Sequence, residues 1–396
     1  MMKGALLAVA AIALLSGQAS AADDIKIGVL FGFTGPLESW GPGIEKSAEL
    51  AFKEVSNSGA LLGGAAIKTV KADDTCTDAA AATAAAQRLA TSEHVSAIVG
   101  GSCSGVTGAV LQSVVRPNGV VMISSSATSP SLSSAEDDGL FFRTVPSDKG
   151  QGPIMAEVIG ERGIKSVALT YVNNDFGKGL AESFTEAYKA AGGTVTVSLP
   201  HQDGKADYSA EIGSLASAGG ELLVVIGYVD EGGKGIVQAS LDAGAFSRFY
   251  FPPGMSGQSL LDLLGDQLDG TVGSFEGTDS PGADKFAELA KAAGFDSTSP
   301  YAGQTYDAAA LVMLAMQAAG SSDPSVFKDK VMDVANGPGE EIYPGELAKG
   351  LQLLAEGKPI DYVGATDVKL VGSGDAAGSY RIYTIKDGKQ VTDYYK

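Results

Sequence analysis

Short β-branched runs along this chain alternate with Ala-rich stretches whose apolar residues recur at helical spacing. Residues 25–31 read as a strand. Ile44, Ala48, Ala51 and Val55 then fall at i, i+4, i+7 and i+11, one face of a helix. A second strand is expected at 67–71, followed by an Ala-rich helix at 78–90 with Asp78 near its start, where a short acid side chain can cap free N–H groups. Residues 95–99, a helix through Val110 and Val115, and 120–123 continue the alternation. Strand–helix–strand order of this kind implies parallel strands joined by right-handed helical crossovers.

The pattern restarts near Pro146-Ser147-Asp148. Strands are expected at 167–172, 194–199 and 222–226, and Leu180, Phe184, Ala187 and Ala191 form a helical stripe closed by Gly192-Gly193. Beyond about Phe275 the chain becomes helix-rich (283–293, 301–319, 324–334 and 347–354) and ends in two short apolar runs, 368–371 and 380–385. The expected architecture is α/β, with two lobes, each built on a mostly parallel, doubly wound sheet flanked by helices.

Composition narrows the function. Of 396 residues, 28 are Lys or Arg and 47 Asp or Glu, a formal charge of −19. Such acidity opposes a grip on nucleic-acid phosphates, which needs clustered Lys and Arg. Two histidines, His94 and His201, are too few for an imidazole-rich metal centre, and no cofactor motif is present. The start of the chain reads as an export signal: Lys3, an apolar run over 5–15, and Ala19-Ser20-Ala21. Residues 1–21 are therefore expected to be removed after Ala21 and the mature protein to be exported. The apolar run is too short to span a bilayer, which takes about 20 residues. In an oxidising compartment, Cys76 and Cys103 are expected to pair, the alternative being two buried thiols.

In parallel α/β sheets, ligands collect where strands end and helix N-termini begin. Three such junctions are polar here: 100–107, 124–130 and 227–233. Hydroxyls and free N–H groups at a helix start suit a small anion such as a ligand carboxylate. Simple N-capping by Ser and Thr is the competing explanation for any one of them. Gly101-Ser102-Cys103-Ser104-Gly105 also has nucleophile-elbow spacing, but it lacks a His base on the right side, so the chain is not expected to be an enzyme. Paired acids such as Asp73-Asp74 and Asp137-Asp138 read as solvated turns.

Taken in order, Ile27-Gly28-Val29, Thr34-Gly35-Pro36, Asp73-Asp74-Thr75-Cys76, residues 100–107 and 123–132, and Asn174-Asp175-Phe176-Gly177 resemble the periplasmic leucine/isoleucine/valine-binding proteins of ABC importers. The resemblance implies a type I periplasmic-binding fold whose lobes are joined by three hinge crossovers, near 144–146, near Phe275 and near 377–379. It divides the chain into lobe 1 (22–145 plus 275–377) and lobe 2 (146–274 plus 378–396). It implies a monomer that traps a small ligand by closure and delivers it to a membrane permease. It places Cys76 and Cys103 on the family's disulfide. It sets Ser104 and Thr128, with backbone groups around Ser126, Ala127 and Thr128, at the ligand carboxylate, with Thr107 as a further candidate ligand-binding residue, and Tyr228 on the second lobe, with Trp40 and Phe176 where tyrosine is usual.

One departure bears on the cargo. Where the family carries the acid that pairs with a ligand ammonium, this chain has Phe251-Pro252-Pro253-Gly254-Met255. Either Asp230, Glu231 or Glu276 takes that role, or the ligand has no ammonium. A branched-chain or other hydrophobic amino acid is the first expectation. An amide, urea or aromatic carboxylate is the second, and a sensor that feeds no transporter the third.

Overall fold

Ile25–Phe31 (β1) is buried along almost its whole length, because it lies inside a sheet covered on both faces. The structure, a computed structural model, describes residues 24–396; the expected export signal lies outside them. With Ile67–Asp73 (β2), Ala97–Gly100 (β3), Val121–Ser124 (β4) and Phe141–Arg143 (β5), β1 forms a five-stranded sheet in the order β2-β1-β3-β4-β5. Every pairing in it is parallel. Ile44, Ala48, Ala51 and Val55 are all buried on the helix Gly41–Ser58, as their spacing requires. The helix through Val110 and Val115 starts at Ser104 and passes through a π-helical turn, Leu111–Val115.

The second lobe contains Ser166–Val172 (β6), Thr194–His201 (β7), Leu222–Ile226 (β8), Phe249–Phe251 (β9) and Val272–Glu276 (β10), all parallel where they pair. In its helix Asp175–Ala190 the buried stripe is Leu180, Phe184 and Tyr188. Ala187 is half-buried and Ala191 exposed, so Tyr188 takes the inward place and donates from its hydroxyl to Ile164 O. Two small ribbons, Glu340–Ile342 (β11) with Ile360–Tyr362 (β12) and Lys369–Val371 (β13) with Asp375–Ala377 (β14), decorate the C-terminal part. The chain then adds Tyr380–Lys386 (β15) and Lys389–Tyr395 (β16) antiparallel to the second sheet, giving the order β16-β15-β10-β9-β8-β6-β7.

The helix Ala302–Ala319 is buried almost all round, its Gln304, Thr305 and Asp307 side chains hydrogen-bonded inside the fold, and packs between Gly41–Ser58 and Leu347–Ala355. It begins one residue later than its pattern suggests, because Tyr301 adopts a left-handed conformation with φ of 58°. The expected single helix at 324–334 breaks into Pro324–Phe327, a 3-10 turn Lys328–Lys330, and Val331–Ala335. The charged turn has no buried residue, so packing does not hold it in one straight helix.

Three crossovers join the lobes: after β5, after β10 and before β15. They are tied together. Pro146 bridges to Ala376, Thr144 Oγ1 donates to Gln304 O, and Ser379 Oγ donates to Gly277 O. Cys76 and Cys103 are disulfide-bonded with Cα atoms 5.0 Å apart, joining the loops that follow β2 and β3. A crosslink over this spacing restricts the unfolded chain by about 3–4 kcal/mol. Replacing both cysteines by Ser is expected to lower unfolding free energy by that amount in a denaturant titration. A difference below about 1 kcal/mol would show that the loop-closure argument does not hold here.

Candidate functional site

The two lobes meet face to face. Trp40 Nε1 of the first donates to Ser256 O of the second at 3.0 Å, and Ser39 N donates to Asp230 Oδ2 at 3.0 Å. Ser129 Oγ donates to Asp175 O at 3.2 Å. Between them lies a small, partly enclosed cavity lined by residues of both lobes.

One pole of the cavity is made of hydroxyls at the ends of β3 and β4. β3 can turn sharply because Gly100 has φ of 133°, and a Cβ there would lie 1.9 Å from Leu30 O. The turn is then braced by Asp74, which accepts from Ser102 N at 2.7 Å, Ser102 Oγ at 2.5 Å and Cys76 N at 3.0 Å. Ser104 opens the following helix, and its Oγ accepts from Ser129 N at 3.0 Å. That bond leaves the Ser104 hydroxyl proton free to donate. Ser126 Oγ donates to Ser102 O at 2.8 Å, tying the two turns together, and Thr128 stands next to it with Oγ1 2.9 Å from Asp148 Oδ2. Ser102, Ser104, Ser126 and Thr128 all line the cavity.

The other walls are aromatic. Phe176 and Tyr228 stack with ring centroids 5.4 Å apart, and Tyr228 Oη accepts from Asn174 Nδ2. Trp40 and Tyr301 meet at 5.3 Å from the first lobe's side. Trp40 is only 3% exposed.

Arg143, fully buried at the end of β5, holds the hydroxyl loop from behind. Its Nη1 donates to Ala127 O at 3.0 Å and Ser129 O at 3.1 Å, its Nη2 to Ser133 Oγ at 2.6 Å and its Nε to Asp375 Oδ1 at 2.7 Å. Two acids lie behind the wall. Burial pushes the Asp148 carboxyl up to about 7, although Thr128 and Arg143 favour its ionised form. Burial, with Asp148 adding to it, pushes Glu276 up to about 8, and Glu276 Oε2 has no hydrogen-bond partner.

Of the residues expected from sequence, Trp40, Ser104, Ser126, Thr128, Phe176 and Tyr228 are brought together on the cavity wall. Thr107 is not on it: its side chain is buried under Gly101. Ala127 also turns away, its N–H donating to Ser124 Oγ and its carbonyl accepting from Arg143. Asp230 is committed to closing the lobes, accepting from Ser39 N and Ser259 Oγ. Glu231 points toward Gly204, away from the cavity, and Glu276 sits behind Tyr301. The nucleophile-elbow arrangement fails because Cys103 is consumed in the disulfide.

Sequence reading missed Leu37, Ser102, Gly254 and Tyr301 on the wall, and Arg143 and Asp148 behind it. Ser102 was visible as part of a polar turn. Tyr301 carries no local signal, since it reaches the cavity only through the return of the chain to the first lobe.

Comparison with known proteins agrees with this geometry. Residues 24–337 match the periplasmic binding protein family. The leucine-, isoleucine-, valine-, threonine- and alanine-binding protein of Pseudomonas aeruginosa is 30% identical over 324 residues, 81% of this chain and 85% of that protein. A leucine-binding protein from Thermotoga maritima shares the fold with a TM-score of 0.79 at 21% identity, covering 94% of this chain and 98% of its own. A solute-binding protein of an ABC transporter from R. palustris, in complex with benzoate, does so at 0.77 and 19% identity, covering 94% and 96%. The chain belongs to the periplasmic binding protein family, among the leucine-, isoleucine- and valine-binding proteins.

Proposed function

We propose that this protein is the exported, monomeric solute-binding component of an ABC importer, which encloses one small carboxylate with an apolar body between its lobes and presents the closed complex to a membrane permease. The observation that carries the proposal is the pairing of a hydroxyl pole on one lobe with an aromatic wall spanning both, around a small cavity between the lobes. The Pseudomonas relative is named for hydrophobic and small amino acids, and the R. palustris neighbour holds a benzoate; both cargoes are carboxylates with apolar bodies.

Closure follows from the geometry. The ligand touches both lobes only when they are shut, so its binding energy favours the closed arrangement over an open one in which the Trp40–Ser256 and Ser39–Asp230 bonds are broken. Hydrogen bonds to a charged group are worth about 1.5–3 kcal/mol each. Burial of apolar surface adds about 25 cal/mol per Å². Together these terms are of the size that a micromolar dissociation constant, about −8 kcal/mol, would need.

Trp40 is the sole tryptophan and sits in the wall, so its emission is expected to report occupancy. Titration with small carboxylates is expected to shift that emission and to shrink the radius of gyration in solution scattering. A panel of amino acids, oxo acids and aromatic acids that moves neither quantity would overturn the proposal.

A further inference from the structure

We infer that the cavity selects a carboxylate that carries no ammonium group, such as an aromatic acid or a 2-oxo acid with a branched apolar chain. The inference rests on the carboxylate-capture reading above and narrows its substrate class.

An ammonium enclosed in a shut cleft needs a carboxylate beside it, because a buried, unpaired cation is very costly. No residue on the cavity wall carries a charge; the lining is hydroxyl, aromatic, aliphatic, glycine and a disulfide sulfur. Gly254 occupies the part of the wall facing Phe176, and nothing larger fits there. A Cβ on Gly254 would lie 2.4 Å from Gly227 O and 3.2 Å from the Phe176 ring, so no acid can project from that point. Phe176, stacked on Tyr228, fills the space with an edge that neither donates nor accepts. Asp230 is already shared between Ser39 N, Ser259 Oγ and Lys234.

The two acids behind the wall fit the same conclusion. Asp148 faces Thr128, Arg143, Tyr228, Glu276, Tyr301 and Tyr380, and Glu276 faces Asp148, Tyr301 and Tyr380. Arg143 is the one cation in this group, and its donors are spread over Asp375, two carbonyls and Ser133. With so little positive charge nearby, burial makes the protonated forms favourable up to about 7 for Asp148 and about 8 for Glu276. The state of Asp148 then decides what Thr128 offers the cavity. Beside an ionised Asp148, the Thr128 hydroxyl must donate to it and can only accept from a ligand, which would suit an ammonium. Beside a protonated Asp148, the acid donates and the Thr128 proton is free for a ligand carboxylate. Asp148 is thus a positioning residue for the carboxylate pole.

Calorimetric titration of the full mature protein with leucine, its oxo acid 4-methyl-2-oxopentanoate, and benzoate, at pH 6, 7 and 8.5, tests this. At pH 6 the oxo acid or benzoate is expected to bind at least tenfold more tightly than leucine. Its affinity is expected to fall tenfold or more by pH 8.5, as Asp148 and Glu276 lose protons and place negative charge behind the bound carboxylate. The heat should depend on the buffer, showing protons taken up with the ligand. Asp148→Asn is expected to flatten the pH profile, and the wild-type profile stands as the test should that variant fail to fold. Leucine binding more tightly than its oxo acid, or affinity that rises with pH, overturns the inference and leaves the capture of carboxylates intact. Failure of all three ligands to bind or to alter Trp40 emission overturns both.

Discussion

Replacing Arg143 by Met is expected to destabilise the protein by about 3–5 kcal/mol, the usual cost of removing one partner from a buried charge network. The side chain is fully buried, and its donors reach Ala127 O, Ser129 O, Ser133 Oγ and Asp375 Oδ1. Methionine fills much of the volume but donates nothing, leaving the buried Ala127 carbonyl without a partner, Ser129 O with only Leu132 N, and Asp375 without its counter-charge. The melting temperature should fall by roughly 5–10 °C. The damage should reach the ligand too, because Thr128 lies between the two carbonyls that Arg143 clamps. Once freed, the 127–129 loop no longer holds the Thr128 hydroxyl against Asp148, so affinity is expected to fall at least tenfold in protein that is still folded. A variant matching the wild type in both melting temperature and affinity would show that the loop is held by other contacts.

The second large effect falls on the hydroxyl pole itself. Ser104→Ala combined with Thr128→Val removes the two hydroxyls proposed to donate to a ligand carboxylate while preserving most of the side-chain volume. At about 1.5–3 kcal/mol for each bond to a charged group, the pair should weaken binding by about 100- to 10,000-fold. Ser104 also accepts from Ser129 N, so part of the loss could come through a loosened loop. Thr128→Ser separates the two causes: it keeps the hydroxyl and should keep most of the affinity, whereas Thr128→Val should not. Equal affinity for the double variant and the wild type would move the carboxylate pole elsewhere in the molecule.

What local pattern could reveal is clear from particular elements. The strand at Leu222–Ile226 was legible to the residue because five consecutive apolar side chains make sense only where both faces of a strand are covered. Lys389–Tyr395 was invisible as a strand because it is an edge strand, almost wholly exposed, with no buried face to impose a pattern. Phe141–Arg143 and Phe249–Phe251 are three residues long, too short to show a period. At the site, Ser104, Ser126 and Thr128 stood out because each follows a strand at a polar junction. Arg143 and Asp148 did not, since a single charged residue looks the same in sequence whether it meets water or a buried network.

The amino-acid sequence by itself determined the alternation of strands and helices, the restart that makes two lobes and the hydroxyl turns at the strand ends. All of these depend on neighbours within a few residues or on composition. Tertiary structure alone decided which side chains face the cavity. Asp230 became a latch between lobes, Glu276 retreated behind Tyr301, and Gly254 closed against Phe176. Those outcomes arise where segments separate in sequence are pressed together in space, as Asp230 is against Ser39, 191 residues away. Burial and charge there are set by the partner segment, and no local pattern carries it.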